Sequence, residues 1–295
     1  MDRIAHRVYW FLSIVTALFF VFVSTGYCQQ SSKEKLLKDL ESKDLEVRME
    51  AVRGLSKLGA EGVDSLIVLL KNEDEEPEIR VESARGLGAI EDPKAFEALS
   101  AVAKNIDDDE EVRLEVVKTV GTSKNVNTVN LLIEVLKNEE EDTELRIAAT
   151  ESLGKTGDSQ YVNALLAVLN NDEDDDEVRG TAAMILAKRR EQSAVEPLIK
   201  IAKSAEEYDD MRESAAKALG RMEEQKAVEP LIGILKEKDA AKSLRNEAAA
   251  ALKSITGQAF GSNAAEWEKW WQQNKGKPAA SEEKPKDVKP WWKVW

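Results

Sequence analysis

A repeat of about 33 residues runs through most of the chain and restricts the folds open to it. A short motif recurs in which an acidic or polar residue and an aliphatic residue precede an arginine. The arginines step by 32 residues once and then by 33 residues five times. They are Arg48, Arg80, Arg113, Arg146, Arg179, Arg212 and Arg245. Such a period is typical of repeat proteins, in which each unit packs mainly on its neighbours.

Each repeat carries the pattern of two amphipathic helices. After Arg179, the residues Ala182, Ala183, Ile185 and Leu186 form one small and apolar face at helical spacing. A second apolar pattern follows, with an aliphatic residue 19 positions after the arginine in six repeats. These residues are Ile67, Leu99, Leu132, Leu165, Leu198 and Leu231. Neither helix can bury its apolar face alone, so we predict an all-α, right-handed α-solenoid of about seven helix pairs whose second helices line a concave wall.

Local signals predict where helices begin and end. Asp92 and Pro93 suit an N-cap and a first turn, so we expect a second helix to begin there. Four glycines stand eight residues after a repeat arginine, and we expect them to end the first helix. They are Gly88, Gly121, Gly154 and Gly220.

The repeat resembles a known family. Residues 194–199 and 227–232 both read Ala-Val-Glu-Pro-Leu-Ile, and the arginine motif is followed by paired alanines and Leu-Gly. This pattern resembles the short HEAT-like repeats first noted in phycobilisome-lyase-related proteins, over about residues 33–274. The resemblance implies the solenoid fold. It implies little about function, because such repeats serve scaffolds, adaptors and a few enzymes.

The seven arginines are interpreted as a structural ladder. An arginine carries five donors and would lie near carboxylates of the loop before it and of the adjacent repeat. A ladder of such pairs would fix the spacing between repeats, whereas a ligand site rarely recurs in every repeat.

The loops before these arginines are densely acidic. The chain has 56 Asp and Glu against 42 Lys and Arg, a net charge of −14, which makes nucleic acid an unfavourable partner. Three interpretations stay open: solubility with favourable charge at helix N-termini, a surface for a basic partner, and calcium binding. Asp172, Asp174 and Asp176 are weak metal candidates, because their loop lacks the glycine turn and distal glutamate of an EF-hand.

The N-terminus has the pattern of an export segment. Arg3 and Arg7 precede an apolar run over residues 8–23. We expect residues 1–28 to be a cleaved signal peptide, or alternatively an uncleaved membrane anchor. Lipid attachment at Cys28, the only cysteine, is a third option. The remaining chain would be periplasmic or otherwise extracytoplasmic, with the repeat solenoid over residues 29–274.

Tryptophans mark the C-terminal end. Ser262 or Asn263 can cap a last helix containing Trp267, Trp270 and Trp271, which we interpret as an aromatic cap on the core. Residues 275–295 read as a disordered linker with a tryptophan motif. That motif consists of Trp291, Trp292 and Trp295. We expect it to bind a partner or a membrane surface, or to dock on the protein's own groove.

The composition gives no support for catalysis. The only histidine is His6, inside the export segment, so His-based triads and the His-Glu iron sites of HEAT-like deoxyhypusine hydroxylases have no counterpart. We expect no catalytic residues, no cofactor and no nucleic acid. The favoured function is an exported protein-interaction scaffold that binds a basic partner on its concave face and acidic rim. The alternatives are a lyase-like or cofactor-delivery accessory protein and a cation-binding surface protein.

Overall fold

The computed structural model describes residues 32–157 and 159–275, and every regular element in these ranges is a helix. The predicted export segment, residues 1–28, lies outside them, as do Trp291, Trp292 and Trp295. Predictions for those residues therefore stay predictions. In the described ranges no helix is long and apolar enough to cross a membrane.

The chain divides into two compact units, Met1–Leu131 and Leu132–Trp295. The helices that begin in the first unit are α1 (32–39), α2 (Leu45–Lys57), α3 (Val63–Lys71), α4 (Pro77–Gly88), α5 (Pro93–Lys104), α6 (Glu110–Val120) and α7 (Thr128–Lys137), the last of which crosses the boundary. Those of the second unit are α8 (Thr143–Thr156), α9 (Gln160–Leu169), α10 (Asp176–Lys188), α11 (Val195–Lys203), α12 (Asp209–Met222), α13 (Val228–Lys236), α14 (Lys242–Thr256) and α15 (Ala264–Asn274).

From α2 to α15 the described helices form seven consecutive pairs, one for each repeat arginine. Within each unit the first helices pack side by side, as α2, α4 and α6 do in the first and α8, α10, α12 and α14 in the second. The predicted all-α repeat fold of about seven helix pairs is confirmed.

The apolar positions of the repeat form the core, with one exception. Leu99, Leu132 and Leu165 are at most 2% exposed, as predicted from their distance to the arginine. Ile67 is only half-buried, and its neighbour Leu66 is fully buried instead. The prediction for Ile67 is wrong because the first repeat is one residue shorter, which moves the core position back by one residue.

The predicted helix starts are confirmed. Asp92 accepts a hydrogen bond from the backbone N–H of Lys94 at 2.7 Å, and Pro93 is the first residue of α5. At the other end of the chain, Asn263 accepts from the backbone N–H of Glu266 at 3.3 Å and caps α15. These side chains satisfy N–H groups that have no partner inside the helix.

The four glycines differ from each other in their role. Gly88 is the last residue of α4 and Gly121 caps α6, as predicted. Gly154 and Gly220 lie inside α8 and α12, two residues before their ends. A Cβ atom at Gly220 would lie 2.8 Å from the Cα atom of Ala251 in α14. The prediction of helix termination is therefore wrong for Gly154 and Gly220. At both positions the absence of a side chain lets the first helix of the following repeat pack closely.

We expect Gly220→Ala to destabilise the second unit by about 1–3 kcal/mol, because the new methyl group would meet backbone that cannot move aside. Gly233 in α13 is the matched control, since a Cβ there meets nothing within 4 Å. Gly233→Ala should stabilise by about 0.5–1 kcal/mol through its higher helix propensity. Urea denaturation measures the free energy of unfolding of both variants. A stabilised Gly220→Ala protein would contradict the close packing of α12 on α14.

The three tryptophans of α15 differ in burial. Trp267 is fully buried and packs edge-on against Phe260, with ring centroids 4.9 Å apart. Its Nε1 donates a hydrogen bond to the carbonyl oxygen of Gly261 at 2.7 Å. Trp270 and Trp271 are half-buried and stack on each other. Because α15 packs on α13, Trp267 is the residue that closes the core at the end of the second unit.

Candidate protein-interaction surface

The ladder arginines reach two kinds of acceptor. Arg146 Nε donates to the carbonyl oxygen of Leu136 at 2.9 Å, near the C-terminus of the preceding second helix. Its two terminal nitrogens donate to the two carboxylate oxygens of Asp174, in the turn of the next repeat, at 2.6 and 2.8 Å. A cation is favourable at a helix C-terminus, and the bidentate pair adds geometric specificity. One side chain thus joins three segments of the second unit.

The same interactions recur along the chain. Ion pairs with a carboxylate of the following turn join Arg48 to Glu75, Arg80 to Asp108, Arg179 to Glu207 and Arg212 to Glu237. Hydrogen bonds with Glu207 raise the pKa of Arg179 above its usual value. Arg113 donates to the carbonyl oxygen of Ala103 at 3.0 Å. Arg245, in the last repeat, donates to the carbonyl oxygens of Glu237 and Ala240.

The acidic turns contain a second repeated residue, which the sequence pattern alone did not bring out. At the start of five of these turns a side-chain oxygen accepts the backbone N–H two residues later. The residues that accept are Asn72, Asn105, Asn138, Asn171 and Ser204. The acidic residue three positions further on is the one that turns inward, as Asp174 and Glu207 do towards Arg146 and Arg179. The 33-residue spacing of these polar residues is the signal that could have revealed the turn.

In two of these turns a further carboxylate caps the following helix. Asp109 accepts from the backbone N–H of Val112 at 3.1 Å, and Asp175 accepts from that of Glu177 at 2.8 Å. Tyr208 holds the corresponding position before α12, makes no capping hydrogen bond and is 77% exposed. A tyrosine here gives up a contribution of about 1 kcal/mol that an acidic cap would supply.

The remaining carboxylates of the turns point outwards. They are exposed and form no ion pair with any other described residue. In the first unit these outward carboxylates include Glu73, Asp74 and Asp107, and in the second they include Glu139, Glu140, Asp142, Asp172, Glu173, Glu206 and Asp239. In these turns some carboxylates therefore stabilise the fold, and others are exposed on the surface.

Exposed lysines, also not predicted, stand just before these turns in both units. Each is the last residue of a second helix, where a cation stabilises the negative end of the helix dipole. In sequence these lysines are spaced by 33 residues with one gap, and they are Lys71, Lys104, Lys137, Lys203 and Lys236. The gap is filled by Asn170, so the turn at residues 170–177 has no lysine at this position and carries the densest negative charge.

That turn borders a cleft of about 340 Å³ in the second unit. Asp172 lines it from one turn, and Glu206, Glu207 and Tyr208 line it from the next. Two cations also line it, Lys200 on α11 and the ladder arginine Arg179, which pairs with Glu207. The cleft therefore combines outward carboxylates with an exposed aromatic ring.

The weak metal candidates have other roles in the structure. Both oxygens of Asp174 accept from Arg146, and Asp176 pairs with Arg179 at 2.9 Å. Asp172 is exposed at the cleft. Across residues 32–157 and 159–275, no three His, Cys, Asp or Glu side chains form a group that could hold a metal ion.

Comparison with known proteins gives a family and related folds. A family model described as HEAT repeats matches residues 33–110, 97–176 and 172–253. No curated protein matches the chain. Human deoxyhypusine hydroxylase in complex with glycerol is 21% identical, with a TM-score of 0.39, over 73% of this chain and 81% of that one. The complex of CpcE and CpcF of phycocyanin lyase from Nostoc sp. is 21% identical, with a TM-score of 0.42, over 82% and 94%.

Proposed function

The chain belongs to the HEAT-repeat family, and from this premise we propose that it is an exported, non-catalytic scaffold that binds a basic protein partner along its acidic turns. One observation carries the proposal. Successive turns contain exposed carboxylates in addition to those that pair with the ladder arginines or cap a helix. Charges needed only for stability would be paired or placed at helix N-termini. Export is supported by the basic and apolar pattern of residues 1–28.

The spacing of the repeats allows the electrostatic potentials of neighbouring acidic turns to add. Neighbouring first helices pack about 10 Å apart, which is one helix diameter. The Debye length at physiological salt is about 8 Å, so the potentials of adjacent turns partly add within a unit. Such a surface steers a cationic partner and speeds its association.

The turn at residues 170–177 is the proposed centre of the surface. It lacks the lysine that precedes the other turns, and Asp172 and Glu173 are exposed. The exposed ring of Tyr208 across the cleft offers a face for a lysine or arginine side chain. A cation over an exposed aromatic ring contributes about 0.5–1 kcal/mol.

We expect neutralising Glu139, Glu140, Asp172 and Glu173 together, as Gln and Asn, to weaken binding of a labelled oligolysine at least tenfold. The reason is the loss of four adjacent exposed charges from two turns of one unit. Fluorescence anisotropy with the full chain measures the affinity. Binding should also weaken steeply towards about 1 M salt, where the Debye length is about 3 Å.

A matched variant removes four exposed glutamates elsewhere, so that the net charge changes equally. These are Glu41, Glu50, Glu61 and Glu97, changed to Gln. It should bind the oligolysine within about twofold of the unchanged protein, since these glutamates belong to none of the acidic turns that form the proposed surface. Equal weakening by both variants would show a response to net charge and would overturn the proposed surface.

A further inference from the structure

A second surface lies on the first helices of the second unit. It is an open groove of about 650 Å³, with α10 at its floor and α8 and α12 at its sides. Its floor is apolar and half-buried, with Met184 and Ile185 on α10 and Ile147 on α8. The groove contains none of the outward carboxylates on which the proposed function rests.

The methionine in the floor departs from the repeat. Met184 stands five residues after a ladder arginine, a position that is charged in five of the other six repeats. The residues there are Arg53, Arg85, Lys118, Glu151 and Lys217. A helix position normally held by a charge carries a flexible apolar side chain in this repeat, of the kind that suits adaptable binding surfaces.

The glycine in the floor departs from the repeat as well. Gly180 directly follows its ladder arginine, where every other repeat has a side chain. Glycine inside a helix costs about 1 kcal/mol relative to alanine. An added Cβ at this position would lie 3.2 Å from the side-chain Oγ of Ser214 in α12, a tight contact that Ser214 would have to move to relieve. The missing side chain deepens the groove between α8 and α12.

The two ends of the groove carry opposite charge. Glu177 and Asp210 lie at the N-terminal ends of α10 and α12, and Lys188 and Arg221 lie near their C-terminal ends. All four are exposed and form no ion pair with another described residue. From Glu177 to Lys188 the helix rises about 16 Å, which is about three helical turns.

We propose that this groove binds an amphipathic helix of a partner protein, about three turns long, with an apolar face, basic residues at one end and acidic residues at the other. The apolar face would cover Met184 and fill the gap at Gly180. The basic end would meet Glu177 and Asp210, and the acidic end would meet Lys188 and Arg221. Complementary charge at both ends fixes the direction in which the helix lies.

The test uses a labelled, lactam-stapled helical peptide with leucines spaced by three and four residues, lysines in one terminal turn and glutamates in the other. Its control has the same composition, but the lysines and glutamates are distributed evenly along the polar face. We expect Met184→Lys, which restores a charge at the repeat position, to weaken binding of the first peptide at least tenfold. Ala250→Lys adds the same charge at the equivalent exposed position of α14, outside the groove, and should leave binding unchanged.

Anisotropy titrations are run with the full chain and with a chain ending at Lys275, and melting curves show that each variant is folded. Tighter binding to the shortened chain would mean that residues 276–295 occupy the groove, which would overturn a partner helix as the occupant. Equal binding of both peptides, equal binding to Met184→Lys, or no binding of the first peptide would also overturn the proposal. Unchanged oligolysine binding by the Met184→Lys variant would show that the groove and the acidic turns are separate binding sites.

Discussion

Replacing Trp267 with alanine is expected to lower the free energy of unfolding of the second unit by about 3–5 kcal/mol. The indole is fully buried and packs on Phe260, so its removal leaves a cavity at the end of the core. The carbonyl oxygen of Gly261 also loses the hydrogen bond from Nε1. Urea denaturation followed by far-ultraviolet circular dichroism measures the loss, because tryptophan fluorescence changes with the substitution itself.

Trp270→Ala is the matched control. Trp270 lies on the same helix and is half-buried, with its ring 6.3 Å from that of Trp267. Its removal should cost about 1 kcal/mol, the size of a single aromatic pair contact. Equal losses in the two variants would show that burial of Trp267 does not close the core.

Breaking one step of the arginine ladder should have an effect of similar size. We expect Arg146→Met to destabilise the second unit by about 3–5 kcal/mol. The side chains of Arg146 and Asp174 are 7% and 5% exposed, so the substitution leaves a buried carboxylate without its cation. The carbonyl oxygen of Leu136 loses its donor as well. Equilibrium urea denaturation gives the change in free energy.

Two further variants isolate the cause. Lys236→Met breaks an ion pair with Glu268 whose side chains are both about half exposed, and it should cost less than about 1 kcal/mol. Adding Asp174→Asn to Arg146→Met removes the uncompensated charge and should recover part of the loss. If Asp174→Asn lowers the free energy of unfolding further, the destabilisation by Arg146→Met does not come from a buried unpaired carboxylate.

Much of the candidate surface could be predicted from the sequence, but its division into roles could not. The acidic turns and the ladder arginines are visible as a period. Asp172 and Asp174 look alike in sequence, yet one is exposed and the other pairs with Arg146. The difference depends on a side chain 28 residues away, which only the packing of one repeat on the next brings near.

The groove shows the same limit. Met184 and Gly180 are recognisable in sequence as departures from the repeat, but neither departure by itself predicts a groove. That feature requires α8 and α12 on either side of α10, with Ser214 close to the space above Gly180. A single-repeat pattern contains no information about the shape between repeats.

The sequence alone determined the helix pairs, their number and all but one of their named core positions, because helical periodicity and repeat length are local properties of the chain. Tertiary structure alone decided which carboxylates are buried, which glycines serve close packing and where a groove opens. These depend on distances between atoms of different repeats, and such distances are set only when the repeats stack.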